Sequence, residues 1–587
     1  MRIRQLEIQN FRGIKSLKWD LPAEQRLIVL VGPGDSGKST ILEAIHYLLG
    51  DRWTIPIADT DFHNVDVTEP ITIRAVLVDI PEALRKENAF GLWLSGLDSD
   101  GVLHQDPEDE FTPALIASLT IDESLEPQWA VERLDGQSQY LTSAQRRHFS
   151  TFKVDDRNDT QLRWTRTSAL GRMSAQDGGE REALSAASRA AQNALASHEN
   201  ASLSELAKKV QAQANAIGGG SFADIKPGLD TSRSSMGAGL ALYENVVPLT
   251  SFGLGSRRLA SLAIQQLAAG NRAVAVVDEL ENGLEPHRAV RLLHYLSSAT
   301  DYSQVIVTTH SPVIVEQAQI ENLATVQTTD GSVTVTSLAG SSESLQRVRR
   351  ARPSSLLARR IIVAEGKTEH GLLLACFEWW DTERVARGLS TSAGEGIAIQ
   401  DGQGGSEVAP RSEALAALGY TVAGFLDNDV PSVDEAVARA RSAGVTIVQW
   451  EEALNTEAQV CSGLDQFGLD SFLKLGVDLR SGEDTVLNDL NSLNPSVVLE
   501  SLDVGEWMSS GVTIEQARER IATVANKKKW FKDVNDGYAL GVWILENRHE
   551  DALKEVSLRL DEIYSFAYPE TEVLDNDDAP GEAVADG

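Results

Sequence analysis

Leu27-Ile28-Val29-Leu30-Val31-Gly32-Pro33-Gly34-Asp35-Ser36-Gly37-Lys38-Ser39-Thr40 is an apolar run that ends in a glycine-spaced turn. The five apolar residues read as a buried strand. Ile41, Leu42, Ala44, Ile45, Leu48 and Leu49 then recur at helical spacing. A G-x-x-x-x-G-K-S turn between strand and helix is built for phosphate. Its glycines let backbone N–H groups wrap the anion at the helix N-terminus, Lys38 reaches the β/γ oxygens, and the Ser39 hydroxyl takes Mg²⁺. Gly32, Gly34, Gly37, Lys38, Ser39 and Thr40 are therefore the nucleotide-binding candidates. The fold class expected is α/β, arranged around a P-loop.

Two later strands complete that set. Ala273-Val274-Ala275-Val276-Val277 ends in Asp278-Glu279, where Asp278 would hold Mg²⁺ and Glu279 would orient and deprotonate the attacking water. Val305-Ile306-Val307-Thr308-Thr309 ends in His310, placed to sense the γ-phosphate. Alone, His310 would read as a structural histidine; after the other two motifs the functional reading prevails. Together the set resembles the ATP-binding-cassette type head of the RecF/SMC/OLD group of DNA-associated ATPases. Ile8-Gln9-Asn10-Phe11-Arg12-Gly13-Ile14 is similar to their first strand and turn, and the segment with Ser251, Gly253, Gly255, Arg257 and Arg258 sits where they carry a signature loop. The resemblance implies a dimer with ATP between subunits. Asp35 departs from the usual asparagine. No Q-loop glutamine stands out, and residues 59–63 occupy that region.

A second set of acids follows. Arg360-Ile361-Ile362-Val363-Ala364 delivers Glu365 into a glycine turn, with Glu369 in the first turn of the next helix. Val422-Ala423-Gly424-Phe425-Leu426 delivers Asp427 and Asp429. Parallel neighbouring strands would put these carboxylates on one carboxyl edge, where α/β sheets bind ligands. Their repulsion calls for a cation, and hard oxygen donors suit Mg²⁺ or Mn²⁺. By strand alternation Asp429 should return to the side of Asp427. This pattern resembles the Toprim domain, and ATPase followed by Toprim resembles the OLD (overcoming lysogenization defect) nucleases. Residues 278–288 and 253–258 look closest to the branch that includes the Gabija anti-phage nuclease, often paired with a UvrD-like helicase.

What the resemblance implies is an ATP-binding, metal-dependent DNA endonuclease with two metals at the carboxylates and one with ATP. Catalysis would fall to Glu279, His310, Glu365, Asp427, Asp429 and Lys532. The metal ligands would be Glu365, Glu369, Asp427, Asp429 and Glu457, with Ser39 and Asp278 at the nucleotide. Glu451 and Glu452 compete with Glu457 for the last position, and Lys532 reads equally as a solvated lysine. The alternatives are a RecF-like DNA-binding ATPase without nuclease activity and a Toprim effector acting on RNA. Partners expected are double-stranded DNA, a second copy of the chain or a higher homo-oligomer, and the helicase.

Composition bounds these readings. A chain of 587 residues with net charge −33 is repelled by DNA at long range, so contact requires basic islands. Arg347, Arg349, Arg350, Arg352, Arg359 and Arg360 form one island; Lys527, Lys528, Lys529 and Lys532 around Trp530 form another. Each island reads either as a DNA contact or as a solvated face. Two cysteines make no disulfide framework or zinc ribbon, and no apolar run approaches a membrane span, so the expectation is a cytoplasmic protein. The organisation expected is an ATPase head over 1–169 and 218–345, a helical dimerisation insert over 170–217, a Toprim core over 358–460, a helical extension over 461–567 and a disordered acidic tail over 568–587.

Overall fold

A computed structural model of the chain describes residues 1–50, 54–87, 89–149, 151–154, 161–163, 168–174, 242–244, 247–269, 273–298, 302–341, 343–493, 498–549 and 551–569, with Ala186, Ala190 and Glu205. The expected helical insert and acidic tail lie almost wholly outside the described residues. Tyr568, at the start of that tail, is buried and donates its hydroxyl to Asp381 at 2.7 Å, so the fold runs past the expected boundary. Among the described residues no helix is long and apolar enough to cross a membrane.

The chain divides into two compact units, the first made of Met1–Leu30, Gly37–Ala318 and Thr328–Thr334, the second of Val31–Ser36, Gln319–Gln327 and Val335–Gly587. In the first, Arg2–Phe11 pairs antiparallel with Ile14–Asp20 and with Ile71–Val78, which continues to Thr112–Ile121. Beside this antiparallel part, Thr151–Val154, Ala273–Val277, Tyr302–Thr308 and Leu27–Val31 run parallel. Every residue of Leu27–Val31 and Ala273–Val277 is buried, as strands covered on both faces must be. Helix Lys38–Leu49 buries Ile41, Leu42, Ala44, Ile45, Leu48 and Leu49, the set its spacing predicts.

The second unit holds a four-stranded parallel sheet in the order Ile397–Asp401, Arg360–Ala364, Thr421–Leu426, Thr446–Gln449. Helices Lys367–Ala386, Gly405–Ala416 and Asp434–Ser442 connect the strands, and a run of helices from Thr456–Ser462 to Lys554–Ala567 follows. Helix Lys367–Ala386 lies against Val534–Glu546 at glycine contacts. A Cβ on Gly371 would collide with Val534 O, one on Gly537 would lie 2.5 Å from Thr368 O, and one on Gly541 2.8 Å from Ala375 Cβ. Only residues without a Cβ let these backbones approach so closely. The Thr368 hydroxyl then donates to Phe531 O at 2.8 Å, which anchors the residue before Lys532 against the helix that carries Glu369.

Candidate functional site

At the nucleotide motifs the backbone is already in special conformations. Gly32, Asp35 and Gly37 have φ of 145°, 60° and 94°. Asp is among the few L-residues that visit the left-handed region readily, which accounts for tolerance of Asp35 where asparagine is usual. Lys38 is buried at the start of its helix, while Gly34 and Ser39 are exposed. Asp278 Oδ1 accepts from the Ser39 hydroxyl at 2.8 Å and from the Thr308 hydroxyl at 2.7 Å. P-loop serine and Walker-B aspartate thus meet where Mg²⁺ would be shared. Glu279 is exposed at φ 46°, its N–H donating to Thr308 Oγ1 at 2.7 Å. Glu281 is engaged elsewhere: its oxygens accept from the Thr309 hydroxyl and the His310 N–H, each at 2.7 Å, leaving the imidazole of exposed His310 outward.

The signature-like segment starts helix Leu254–Ala269, with Ser251 and Gly253 exposed before it. Gly255 is buried so close to Gly283 O that a Cβ would collide with it. Buried Arg258 donates to Asp278 O and, at 3.4 Å, to Asn282 O. Arg258 therefore ties this helix to the Walker-B turn, a role its place in the motif did not disclose. Residues 59–63, where a Q-loop was sought, form short 3₁₀ turns docked on the Asn10–Arg12 bend: Arg12 pairs with Asp61 at 2.7 Å, and His63 N–H donates to Asn10 Oδ1 at 3.1 Å.

The later acids are arranged differently. Ala364 and Phe425 are register partners, so Glu365 and Asp427 leave neighbouring parallel strands at one edge. Asp427 N–H donates to Glu365 Oε2 at 2.7 Å, and Gly366 N–H to Glu369 Oε2 at 3.0 Å. Helix Thr456–Ser462 closes the cluster. Its Thr456 N–H donates to Asp427 Oδ1 at 2.9 Å, and the Thr456 hydroxyl lies 2.8 Å from Glu369 Oε1 and 3.1 Å from Asp427 Oδ1. That hydroxyl also accepts from Trp450 Nε1 at 2.8 Å. With one proton to donate, it satisfies only one of the two carboxylates at a time. Glu457 is fully buried, with neither oxygen hydrogen bonded, and faces Lys532 Nζ at 3.5 Å.

Burial, then the charges of Glu369, Glu365 and Glu457, push Asp427 up to about 9. Burial also raises Glu365 and Glu457. Burial would lower Lys532, but the attraction of Glu457, Glu369 and Asp427 prevails and raises it. One lysine faces several buried acids. An all-oxygen donor set with a carboxylate short of partners fits a hard divalent cation. Among the described residues no three such donors yet converge as a bound metal requires. Several of the oxygens are turned toward backbone amides and Thr456 instead.

Strand alternation does not hold for Asp429. The strand stops at Leu426, so Asp427 to Asp429 lie in the following turn; Asp429 is exposed and meets only Asn455 Nδ2, at 3.5 Å. Among the competing glutamates, Glu451 bonds to Gln459 Nε2 at 3.3 Å and Glu452 is exposed, while Glu457 joins the cluster. Much of the basic islands is spent internally. Arg347 pairs with Glu343 and Glu407, Arg352 donates to Ile399 O, Arg360 to Phe566 O, and Lys528 faces Asp489. Lys527 and Lys529 are exposed.

Residues 27–316 match the family described as AAA domain, putative AbiEii toxin, Type IV TA system, so this part of the chain is an ATPase domain. A stretch of 116 residues is 38% identical to an OLD nuclease of Thermus scotoductus, covering 18% of this chain and 21% of that protein. Another, of 47 residues, is 45% identical to the DNA replication and repair protein RecF of Chlorobium luteolum, covering 8% and 12%. The chain thus spans about a fifth or less of the length of these relatives. Among solved structures, an SMC head bound to the C-terminal winged-helix domain of ScpA superposes with TM-score 0.33 at 16% identity, over 58% of this chain and 98% of that one. The SMC head domain of Thermotoga maritima gives 0.27 at 14%, over 57% and 99%.

Proposed function

We propose that the chain is an ATP-regulated, metal-dependent nuclease that cuts DNA phosphodiesters at the Glu365–Asp427 edge. The observation that carries this reading is the crowding of half-buried Glu365 and Asp427 with buried Glu369 and Glu457, which Lys532 faces among the described residues. Those four carboxylates, with Asp429 at the rim, would hold Mg²⁺ or Mn²⁺, two ions in the fullest arrangement. Bound there, the metal supplies Lewis-acid activation of water and neutralises charge at the phosphodiester. Lys532 adds a fixed positive charge for the developing oxyanion, and Thr456 holds Asp427 and Glu369 at a set separation. At the other site Lys38, Ser39 and Asp278 bind ATP and its Mg²⁺, Glu279 activates water, and His310 faces the γ-phosphate. The exposed Ser251–Gly253 segment suits the nucleotide of a second copy, hence a dimer. The likeness to an OLD nuclease supports the reading; a Gabija-type defence role with a helicase partner is its most specific form.

The test is incubation of supercoiled DNA, linear DNA and tRNA with Mg²⁺ or Mn²⁺, with and without ATP. EDTA-sensitive nicking or cutting of DNA supports the proposal, and cutting of tRNA alone moves the target to RNA. A second reading, a DNA-binding ATPase that does not cut, is favoured by the RecF-like stretch; it predicts ATP-dependent DNA binding with intact plasmid throughout.

A further inference from the structure

We propose that the cleft between helices Thr456–Ser462 and Ile514–Lys527 receives one unpaired base of the DNA strand that is cut at the carboxylate cluster. The inference rests on the nuclease reading and adds a substrate class to it, a strand with an unpaired nucleotide beside the cut. The cleft holds about 480 Å³, within the roughly 300–1,000 Å³ of small-molecule sites. Positions 515, 519, 522, 523 and 526 recur at helical spacing, so one face of the longer helix forms one wall. Two ties hold the walls at one end: Arg518 Nε–H donates to Leu464 O at 2.7 Å, and Gly463 lies so close to Ala552 O that a Cβ would collide with it. The shorter helix also builds the cluster, since it carries Thr456 and Glu457. Asn455 caps it by accepting from Ala458 N–H at 3.0 Å, lines the cleft, and donates Nδ2–H to Asp429 at 3.5 Å. The cleft therefore opens at the rim of the cluster.

Leu454, Ala458 and Ala522 offer apolar surface to the faces of a base, and half-buried Thr523 and Asn526 offer polar groups to its edge. Neither of those two side chains makes a hydrogen bond among the described residues. A carboxamide presents a donor and an acceptor together, the complement of a base edge. A paired base is stacked in its duplex, so entry requires a single-stranded, frayed or flipped nucleotide. Charge along the cleft limits what else can enter. Arg518 meets the end of the shorter helix, so the two helices run antiparallel and Lys527 lies toward the cluster. Lys528 turns inward to Asp489 at 3.8 Å and Trp530 is fully buried, which fixes the segment between exposed Lys527 and the cluster lysine, Lys532. At the far end stand exposed Glu515 and Glu519, while Arg518 is spent on Leu464 O and Gly463 O. A phosphate is attracted at the lysine end and repelled at the glutamate end. The cleft thus suits one base hanging from a backbone that passes Lys527, and opposes a strand threaded along its length.

The experiment is fluorescence anisotropy of the full chain in Ca²⁺, over a range of salt, with two labelled single strands of equal length. One carries bases; the other is a run of abasic spacers on the same phosphate backbone. Wild type should bind the base-bearing strand about ten-fold more tightly. Asn526→Ala should lose about five-fold on that strand and stay within about two-fold on the abasic one. Lys527→Gln should weaken both strands alike, with salt slopes shallower by about 0.7. Thr523→Ala, on the same helix face, gives the same reading if Asn526→Ala melts early. A wild type that does not distinguish the strands, or an Asn526→Ala that keeps full affinity for bases or loses it on both strands equally, would overturn the base pocket alone. A wild type that binds neither strand in Ca²⁺ and cuts no DNA in Mg²⁺ or Mn²⁺ would overturn the nuclease reading along with it.

Discussion

Asp278 and Asp427 each follow a buried parallel strand, yet their surroundings are opposite. Asp278 is met by two neutral hydroxyls, from Ser39 and Thr308. Asp427 is packed beside Glu365, Glu369 and Glu457, with Lys532 the cation among them, and burial pushes its carboxyl up to about 9. Neutral donors stabilise a carboxylate without adding charge to the neighbourhood. Other carboxylates do the reverse, and in low dielectric the cost is large. Ser39, Asp278 and Thr308 thus meet through neutral donors, whereas the Glu365–Asp427 edge gathers like charges that protons or a cation would offset.

The strongest way to break this contrast is Asp427→Ala. Plasmid cutting should fall about 100-fold or more, since even removing an outer-shell partner of a metal costs roughly 10–100-fold. ATP turnover, measured by phosphate release, should stay within about two-fold, because changes at sites that share no partner residues act nearly independently. Cutting at the wild-type rate would mean the crowded acids are structural. The reciprocal substitution, Glu279→Gln, should leave ATP binding intact and slow its hydrolysis by about 10²–10⁴-fold, the range for loss of a general base. Turnover near wild type would remove Glu279 from that role. Glu281 is a poor substitute, because Thr309 and His310 already occupy its oxygens.

The same contrast explains what could be read without coordinates. Motifs in which one residue does one local job were legible: the phosphate loop, the Asp278–Glu279 strand end, and the Glu365 and Asp427 strand ends all lie where periodicity put them. Residues that act by joining distant segments were not. Arg258, Thr308 and Thr456 are ordinary in sequence and acquire meaning only when a helix meets a turn or a strand end. The side expected for Asp429 rested on a period of two, which applies only inside a strand, and the strand ends at Leu426. Clustering in sequence does not reveal pairing in space: Arg347, Arg352 and Arg360 are largely taken by carboxylates and carbonyls, while Lys527 and Lys529 stay exposed. Lys532 was ambiguous until three glycine contacts brought its segment against the helix of Glu369.

A smaller effect sharpens the comparison at Lys532. Replacing it by Met leaves Glu457 buried with no counter-charge. Breaking a fully buried pair costs about 3–5 kcal/mol, but Lys532 is a third exposed, so about 1–2 kcal/mol is expected. Thermal melts in EDTA should show the loss, and Mn²⁺ should recover part of it by supplying charge. Equal melting of wild type and Lys532→Met in EDTA would mean the acids are already neutralised by protons.

The pH dependence of the metal-free chain is the finest probe. Asp427 titrates near 4 when unfolded and at about 9 in the fold. Between those values the folded chain holds a proton that the unfolded chain has released, so unfolding free energy must fall as pH rises. Below the lower value the contribution is fully present, and above the upper one it is gone. A single such group contributes a slope of at most about 1.4 kcal/mol per pH unit, and sharing of protons among neighbouring carboxyls makes the observed slope shallower. Denaturant melts in EDTA from pH 6 to pH 8.5 should therefore show declining stability. Asp427→Asn should flatten the decline and raise stability at the alkaline end, because it removes one of the crowded charges. Asp278→Asn, made as the counterpart, should leave folding stability at pH 7 nearly unchanged, since its amide oxygen still accepts from Ser39 and Thr308. If Asp427→Asn declined with the wild-type slope, the crowding of carboxylates at that site would not be what sets the pH dependence.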